Sequence, residues 1–182
     1  MKYESTAPLI STRSICLTAV MTALVFIMTV VPRIPIPLGY AHLGDAMIFL
    51  VVLYGGYKEG ALAASVGSAL ADLIGGFPIW IVPTLIIKYV MAVIIWKMLQ
   101  RKGGNYHIFS KVVLAALVLS DLWMVLGYTL SGAILYGGLA VGLTATPGLA
   151  VKGLLNLFVA IGGALILERS GGFSIGKFNR NL

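Results

Sequence analysis

Residues 112–136, VVLAALVLSDLWMVLGYTLSGAILY, form a continuous apolar run that contains one charged side chain, Asp121. A helix needs about 20 apolar residues to cross the hydrocarbon core of a bilayer, so this run is long enough to span a membrane. The rest of the chain shares this character, since 59% of its 182 residues are hydrophobic, 10% are charged and the mean hydropathy is +1.00. These values exclude a water-soluble domain and predict an integral membrane protein.

Further apolar runs lie on both sides of this segment, separated by short breaks. The proline-rich stretch 32–37 ends the first run, because proline cannot continue a helix. Thr146 and Pro147 are typical of the N-cap and the first position of the last helix. The sequence predicts one all-α transmembrane domain over residues 1–182 with six spans, at residues 14–31, 46–57, 60–74, 79–99, 112–136 and 146–167.

The positions of the cationic residues predict the orientation of these spans. Short loops rich in Lys and Arg stay in the cytoplasm. With the amino terminus inside, most of the 13 Lys and Arg residues fall at cytoplasmic ends, and Arg33 falls outside. We therefore expect both termini in the cytoplasm. The residues assigned to that side are Lys2, Arg13, Lys58, Lys97, Arg101, Lys102, Lys111, Arg169, Lys177 and Arg180.

Four ionisable residues fall within the predicted spans: Asp72, Lys88, Asp121 and Lys152. Such a residue costs at least about 2.5 kcal/mol in a bilayer, so it normally faces a cavity or a partner. Counted along the helices, Asp72, Lys88 and Lys152 lie in the outer half of the membrane and Asp121 lies somewhat deeper. We therefore expect a pocket that opens to the exterior.

Other polar residues are placed to join this pocket. His42 and Asp45 enter the second span from the outer side, Asn156 shares a helix face with Lys152, and Tyr128 shares one with Asp121. Phe77, Trp80 and Trp123 could stack on a flat ring, with lipid anchoring or packing as the alternative. The predicted substrate-binding residues are His42, Asp45, Asp72, Lys88, Asp121, Tyr128, Lys152 and Asn156.

Several of these residues have a structural alternative. Asp72 and Lys88 could neutralise each other between two helices. Asp45 could be favoured by the dipole of its helix, and His42 could be an exposed loop residue. Lys152 has no acidic neighbour in the sequence, which favours a ligand or a water-filled cavity beside it.

The motifs of the sequence do not indicate an enzyme. The single cysteine, Cys16, excludes an internal disulfide, and zinc-ligand spacings, H-E-x-x-H and G-x-S-x-G do not occur. We expect no catalytic residues, no cofactor, no metal site and no nucleic-acid partner. Active transport would need an ATPase supplied by another protein.

The order of several motifs along the chain resembles the substrate-binding S components of energy-coupling factor (ECF) vitamin transporters, in the riboflavin-type S-component family. These motifs are LGDA at 43–46, GALAA at 60–64, GSALADL at 67–73, PTLIIK at 83–88, YG at 136–137 and PG at 147–148. The resemblance implies a six-helix subunit of the bacterial cell membrane that binds a vitamin or its precursor near the outer surface. It also implies docking on a transmembrane T component that carries two cytoplasmic ATPases.

The same resemblance assigns a docking role to the first helix. Members of such families contact the T component through an Ala-x-x-x-Ala motif, which Ala19 and Ala23 match here. Lys152 and Asn156 lie at positions where relatives often carry Asn and Gln. This difference leaves the identity of the substrate open, but it does not affect the resemblance to S components.

The polar pocket residues suit a small polar heterocycle with hydroxyl groups, and we expect pyridoxine or hydroxymethylpyrimidine. Pantothenate, an anion that could pair with Lys88 or Lys152, and riboflavin, which would need a larger aromatic-lined cavity, are the alternative ligands. A membrane scaffold subunit without a ligand is the alternative function.

Overall fold

The computed structural model describes residues 11–100, 106–171, 174 and 175. Almost all of their regular structure is helical. The helices are α1 (Thr12–Val30), α2 (Gly44–Gly55), α3 (Tyr57–Ile74), α4 (Ile81–Gln100), α5 (Lys111–Leu135) and α6 (Leu139–Arg169). A short antiparallel hairpin, β1 (Ile34–Ile36) and β2 (Gly39–Ala41), connects α1 to α2, and a 3₁₀ turn at Pro78–Trp80 precedes α4.

Helix α2 is the most buried helix and the centre of the packing. It contacts α1, α3, α4 and α6, and most of its residues are buried. Its sequence is apolar on all sides, as expected for a helix surrounded by other helices. The longer helices around it leave one apolar face uncovered, where a bilayer would contact them.

Small residues let these helices approach closely. At Gly67 of α3, a Cβ atom would lie 2.8 Å from the backbone oxygen of Thr22 in α1. Any larger residue would push the two helices apart. Such contacts are typical of helix packing in membranes, where small side chains let backbones meet.

Among the residues that the structure describes, four helical segments are long and apolar enough to cross a membrane, namely α1, Pro78–Gln100, α5 and α6. Helix α2 has only 12 residues, and the 18 residues of α3 include Lys58, Glu59 and Asp72. The prediction of an all-α membrane protein is confirmed. Six spans and cytoplasmic termini stay predictions. Of the residues used to predict the orientation, Lys2, Arg101, Lys102, Lys177 and Arg180 lie outside the described residues.

The last helix begins earlier than predicted. It starts at Leu139, so Pro147 lies inside α6 and Thr146 is not its N-cap. The turns before the proline pack directly on α5, where Gly142 lies against the backbone of Thr129. Thr146 also contributes to this contact, with its Oγ1 2.9 Å from Oγ1 of Thr129. Packing against α5 therefore outweighs the backbone hydrogen bond that proline removes.

Candidate ligand-binding site

A buried ionic cluster joins α2, α4 and α6. Asp45, in the first turn of α2, contacts Lys88 through Oδ1 and lies 2.9 Å from Nζ of Lys152 through Oδ2. None of the three residues is more than 2% exposed. Because two lysines share one carboxylate, the cluster carries a formal excess of one positive charge.

This pairing replaces the ion pair between Asp72 and Lys88 that the sequence offered as an alternative. Lys88 bonds to Asp45 instead, because the start of α2 lies between α4 and α6. Lys152 has no acidic neighbour in the sequence, but the fold brings Asp45 to it from a distant part of the chain. Asp45 is fully buried, and it lies in the first turn of α2, where the helix dipole also favours a negative charge.

Hydroxyl groups surround Asp72 instead of cations. Thr84 donates to Oδ2 of Asp72 at 2.5 Å, and the hydroxyl of Tyr40 donates to Oδ1 at 3.1 Å. The hydroxyl of Tyr128 lies 3.0 Å from that of Thr84 and extends this network to α5. Sequence reasoning did not select Thr84, although it lies one turn before Lys88 on the same face of α4.

Asn156 holds the chain before α2 against α6. Its Nδ2 donates to the backbone oxygens of His42 and Lys152, both at 2.8 Å, and its Oδ1 accepts from the amide of Ala46 at 2.7 Å. These bonds satisfy the buried amide. They also fix Asp45, which precedes Ala46, between its two lysines.

His42 lies in the loop between β2 and α2 and is 9% exposed, so it is not an exposed loop residue. Its Nδ1 accepts from the amide of Gly44 at 3.0 Å, and its Nε2 faces Nζ of Lys152 at 3.4 Å. Burial, followed by the charge of Lys152, lowers the pKa of His42 well below its ordinary value. The imidazole is therefore neutral at pH 7.

A cavity lies beside the cluster, beneath the hairpin. Together with its opening to the surface, the empty space beneath the hairpin is about 490 Å³. Its lining combines apolar, aromatic and charged groups. It consists of residues 36–40 of the hairpin, Asp72, Phe77, Trp80, Tyr128, Ala145, Leu149 and Lys152.

Tyr40 joins the hairpin to the wall of the cavity. Its ring packs against Phe77 with centroids 5.2 Å apart, and the guanidinium of Arg33 lies 4.4 Å from the ring centroid. Arg33 also donates to the backbone oxygen of Ala71, near the end of α3, at 3.2 Å. Burial and the nearby Asp72 raise the pKa of Tyr40, so its hydroxyl stays protonated and remains a donor.

The structure places the predicted site residues in three groups. Asp72, Tyr128 and Lys152 line the cavity. His42, Asp45, Lys88 and Asn156 form the buried support behind Lys152. Asp121 does not line the cavity.

Asp121 packs against Gly153 of α6, the residue that follows Lys152. Its Oδ1 has no hydrogen-bond partner among the described residues. Of the aromatic candidates, Phe77 and Trp80 line the cavity, whereas Trp123 donates to the backbone oxygen of Ile87. Within the described ranges, no group of three or more His, Cys, Asp or Glu side chains could hold a metal ion.

Helices around a buried polar cavity define a multi-pass membrane protein with room for a small ligand. The sequence model of the family described as ECF-type riboflavin transporter, S component, matches residues 9–177. The chain belongs to this family, which confirms the resemblance indicated by its motifs. The family consists of transporter subunits and is not a family of enzymes.

One relative is a protein from Pyrococcus woesei described as "Uncharacterized protein in gap 3'region". It is 40% identical to this chain over 146 residues, which cover 78% of this chain and 88% of the relative.

Proposed function

We propose that this protein is the substrate-capture subunit of an ECF-type importer and that it binds a vitamin or vitamin precursor with a single aromatic ring, pyridoxine or hydroxymethylpyrimidine. Membership of the S-component family supports the role in transport. The observation that carries the choice of ligand is the cavity beneath the hairpin, with Asp72 and Lys152 in its walls.

The chemistry of the lining favours a small polar ring. Phe77, Trp80 and Tyr128 offer aromatic faces on which a flat heterocycle can stack. Asp72 accepts hydrogen bonds from hydroxyl or amino groups, and Lys152 donates to ring nitrogens or oxygens. A few polar groups in a mainly apolar pocket are typical of small-molecule sites.

The proposed topology has six spans with both termini in the cytoplasm of the cell. This arrangement places the hairpin and the cavity on the outer side of the cell membrane. Lys58, Lys97, Lys111 and Arg169 then lie at the opposite ends of the helices, as the positive-inside rule requires. The cavity is therefore open to a ligand arriving from outside.

The proposed partners are a transmembrane T component and two cytoplasmic ATPases. Ala19 and Ala23 are exposed on α1, whose buried residues are Met21, Val25 and Thr29. Their small side chains would let a helix of the T component approach the α1 backbone closely. No enzymatic activity is proposed for this chain, and ATP hydrolysis takes place on the partner subunits.

Riboflavin is the second candidate ligand, favoured by the name of the family. Its three fused rings and its ribityl chain need more space than a single ring, so the hairpin would have to move outward. Pantothenate would rely on Lys152 alone among the cavity-lining cations.

The proposal can be tested with purified protein in lipid nanodiscs. Its thermal midpoint is measured with pyridoxine, hydroxymethylpyrimidine, pantothenate or riboflavin. A ligand that binds only the folded state raises this midpoint. At a ligand concentration of a hundred times the Kd, the free energy of unfolding rises by about 2.7 kcal/mol. We expect this shift with a single-ring ligand. A shift with riboflavin alone would support the second candidate, and no shift with any of the four would support the scaffold alternative.

A further inference from the structure

The two charged residues of the cavity wall have opposite signs and lie on different helices. Asp72 belongs to α3, and its hydrogen-bond partners among the described residues are the hydroxyls of Tyr40 and Thr84. A hydroxyl donates a hydrogen bond but brings no formal charge. The wall of the cavity at Asp72 therefore presents a carboxyl group that no cation in the described part of the chain contacts.

The opposite wall carries the positive charge. Asp45 contacts Lys88 through one oxygen and lies 2.9 Å from Nζ of Lys152 through the other, so two lysines already balance its single formal charge. Of the two lysines, only Lys152 lines the cavity. Its ammonium has three donors, and the only oxygen paired with it among the described residues is Oδ2 of Asp45, which leaves donor capacity for a ligand.

Tyr128 lies between the two walls. Its ring centroid is 5.0 Å from Nζ of Lys88 and 5.5 Å from Nζ of Lys152, while its hydroxyl bonds toward Thr84 and through it to Asp72. The two walls are thus joined through the length of one aromatic side chain. A buried charged group costs free energy unless a partner compensates it. Here Asp72 on one wall and Lys152 on the other can each pair with a ligand group of opposite charge.

These contacts deepen the proposed function and rest on it: we infer that the ligand is a dipolar ring of zero net charge. Its hydrogen-bond donor or protonated nitrogen faces Asp72, and its oxygen acceptor or oxyanion faces Lys152. Pyridoxine has both poles, in its pyridinium nitrogen and in the phenolate oxygen attached to the ring. Hydroxymethylpyrimidine has donors and acceptors but no charge separation, so it binds less tightly. Pantothenate pairs with Lys152 but brings its negative charge close to Asp72.

The experiment compares Asp72→Asn and Lys152→Gln with the wild type, using calorimetric titration of pyridoxine, hydroxymethylpyrimidine and pantothenate. Lys97→Gln, an exposed lysine at the other end of α4, is the control and should bind as the wild type does. Each cavity variant should weaken pyridoxine binding by about tenfold to a hundredfold, the loss expected for a hydrogen bond to a charged group.

Specificity separates this inference from a structural role. In Asp72→Asn the ratio of pantothenate to pyridoxine affinity should rise, because the repelling carboxylate is gone. In Lys152→Gln that ratio should fall. Equal losses for all ligands, unchanged pyridoxine binding in Asp72→Asn, or tightest wild-type binding of pantothenate would overturn the inference while leaving the transport role intact. If the wild type binds none of the three, the proposed ligand and the inference both fail.

Discussion

Asp45 sets the charge balance of the buried cluster, because Lys88 and Lys152 both pair with it. Replacing Asp45 with Asn would leave two buried lysines without an anion. Replacing Lys88 with Met would leave Asp45 still paired with Lys152. The two substitutions therefore have different consequences, although both remove one member of the cluster.

We predict that Asp45→Asn destabilises the protein by about 3–5 kcal/mol and that Lys88→Met costs clearly less, since only the first leaves buried charge unpaired. Thermal midpoints in nanodiscs measure the difference. Lys97→Met, an exposed change in the same helix as Lys88, is the control. Equal losses for Asp45→Asn and Lys88→Met would contradict the shared pairing.

His42 makes stability depend on pH in a defined direction. Its pKa in the folded protein lies well below the ordinary value near 6.5, so the unfolded chain binds the proton more readily. The contribution of the neutral imidazole to the free energy of unfolding is complete above about pH 6.5. It declines as the pH falls below this value, by at most about 1.4 kcal/mol per pH unit.

We predict that His42→Gln flattens the fall in thermal midpoint between pH 7 and pH 5. His107, which is exposed and pairs with Glu168, offers the matched substitution His107→Gln. A wild-type slope retained in His42→Gln would refute the assignment.

At the scale of elements, the hairpin is the part of the fold that covers the cavity. Arg33 connects it to α3 through the backbone oxygen of Ala71 and packs over the ring of Tyr40. The hairpin contributes residues 36–40 to the cavity lining, so a ligand beneath it leaves more easily when it opens. Arg33 thus holds the hairpin against the end of α3.

We predict that Arg33→Gln speeds ligand dissociation about tenfold, as expected when a hydrogen bond from a charged donor is lost, with a smaller effect on association. Stopped-flow measurements with the vitamin that binds the wild type provide both rates. Arg169→Gln, at the opposite end of the helices, should change neither. An unchanged dissociation rate would mean that Arg33 does not hold the hairpin.

In the whole molecule, Ala19 and Ala23 lie on the exposed side of α1, which is the proposed contact with the T component. We predict that Ala19→Trp with Ala23→Trp abolishes co-purification with a co-expressed T component and its ATPases, because the bulky rings block close helix approach. Ligand binding should stay at the wild-type level, since neither alanine lines the cavity. Leu155→Trp, an exposed position on α6, is the control. Retained co-purification in the double variant would place the docking face elsewhere.

The orientation in the membrane can be tested with single cysteines introduced after Cys16 is replaced by Ser. We predict that a cysteine at Leu38 in the hairpin reacts with a membrane-impermeant maleimide from outside the cell. A cysteine at Lys58, in the first turn of α3, should react only after the membrane is permeabilised. The opposite pattern would invert the proposed topology.

The sequence predicted most of the helices but missed how the ends of some of them form. Apolar runs placed α4 and α5 within two residues of their observed bounds, because a helix that faces lipid must be apolar along its length. The start of α6 could not be predicted, since packing on α5 extends it through Pro147. The hairpin was also missed, because the proline-rich stretch 32–37 indicated a break and nothing more.

The amino-acid sequence was sufficient to predict an all-α membrane protein of the S-component family and to identify the ionisable residues among its helices, because charged residues are rare in apolar segments, where burying them in lipid is costly. The partners of those residues could be learned only from how the helices pack. Asp45 pairs with lysines 43 and 107 positions away and Asp72 with two hydroxyls, because helix packing, and not distance along the chain, brings these side chains together.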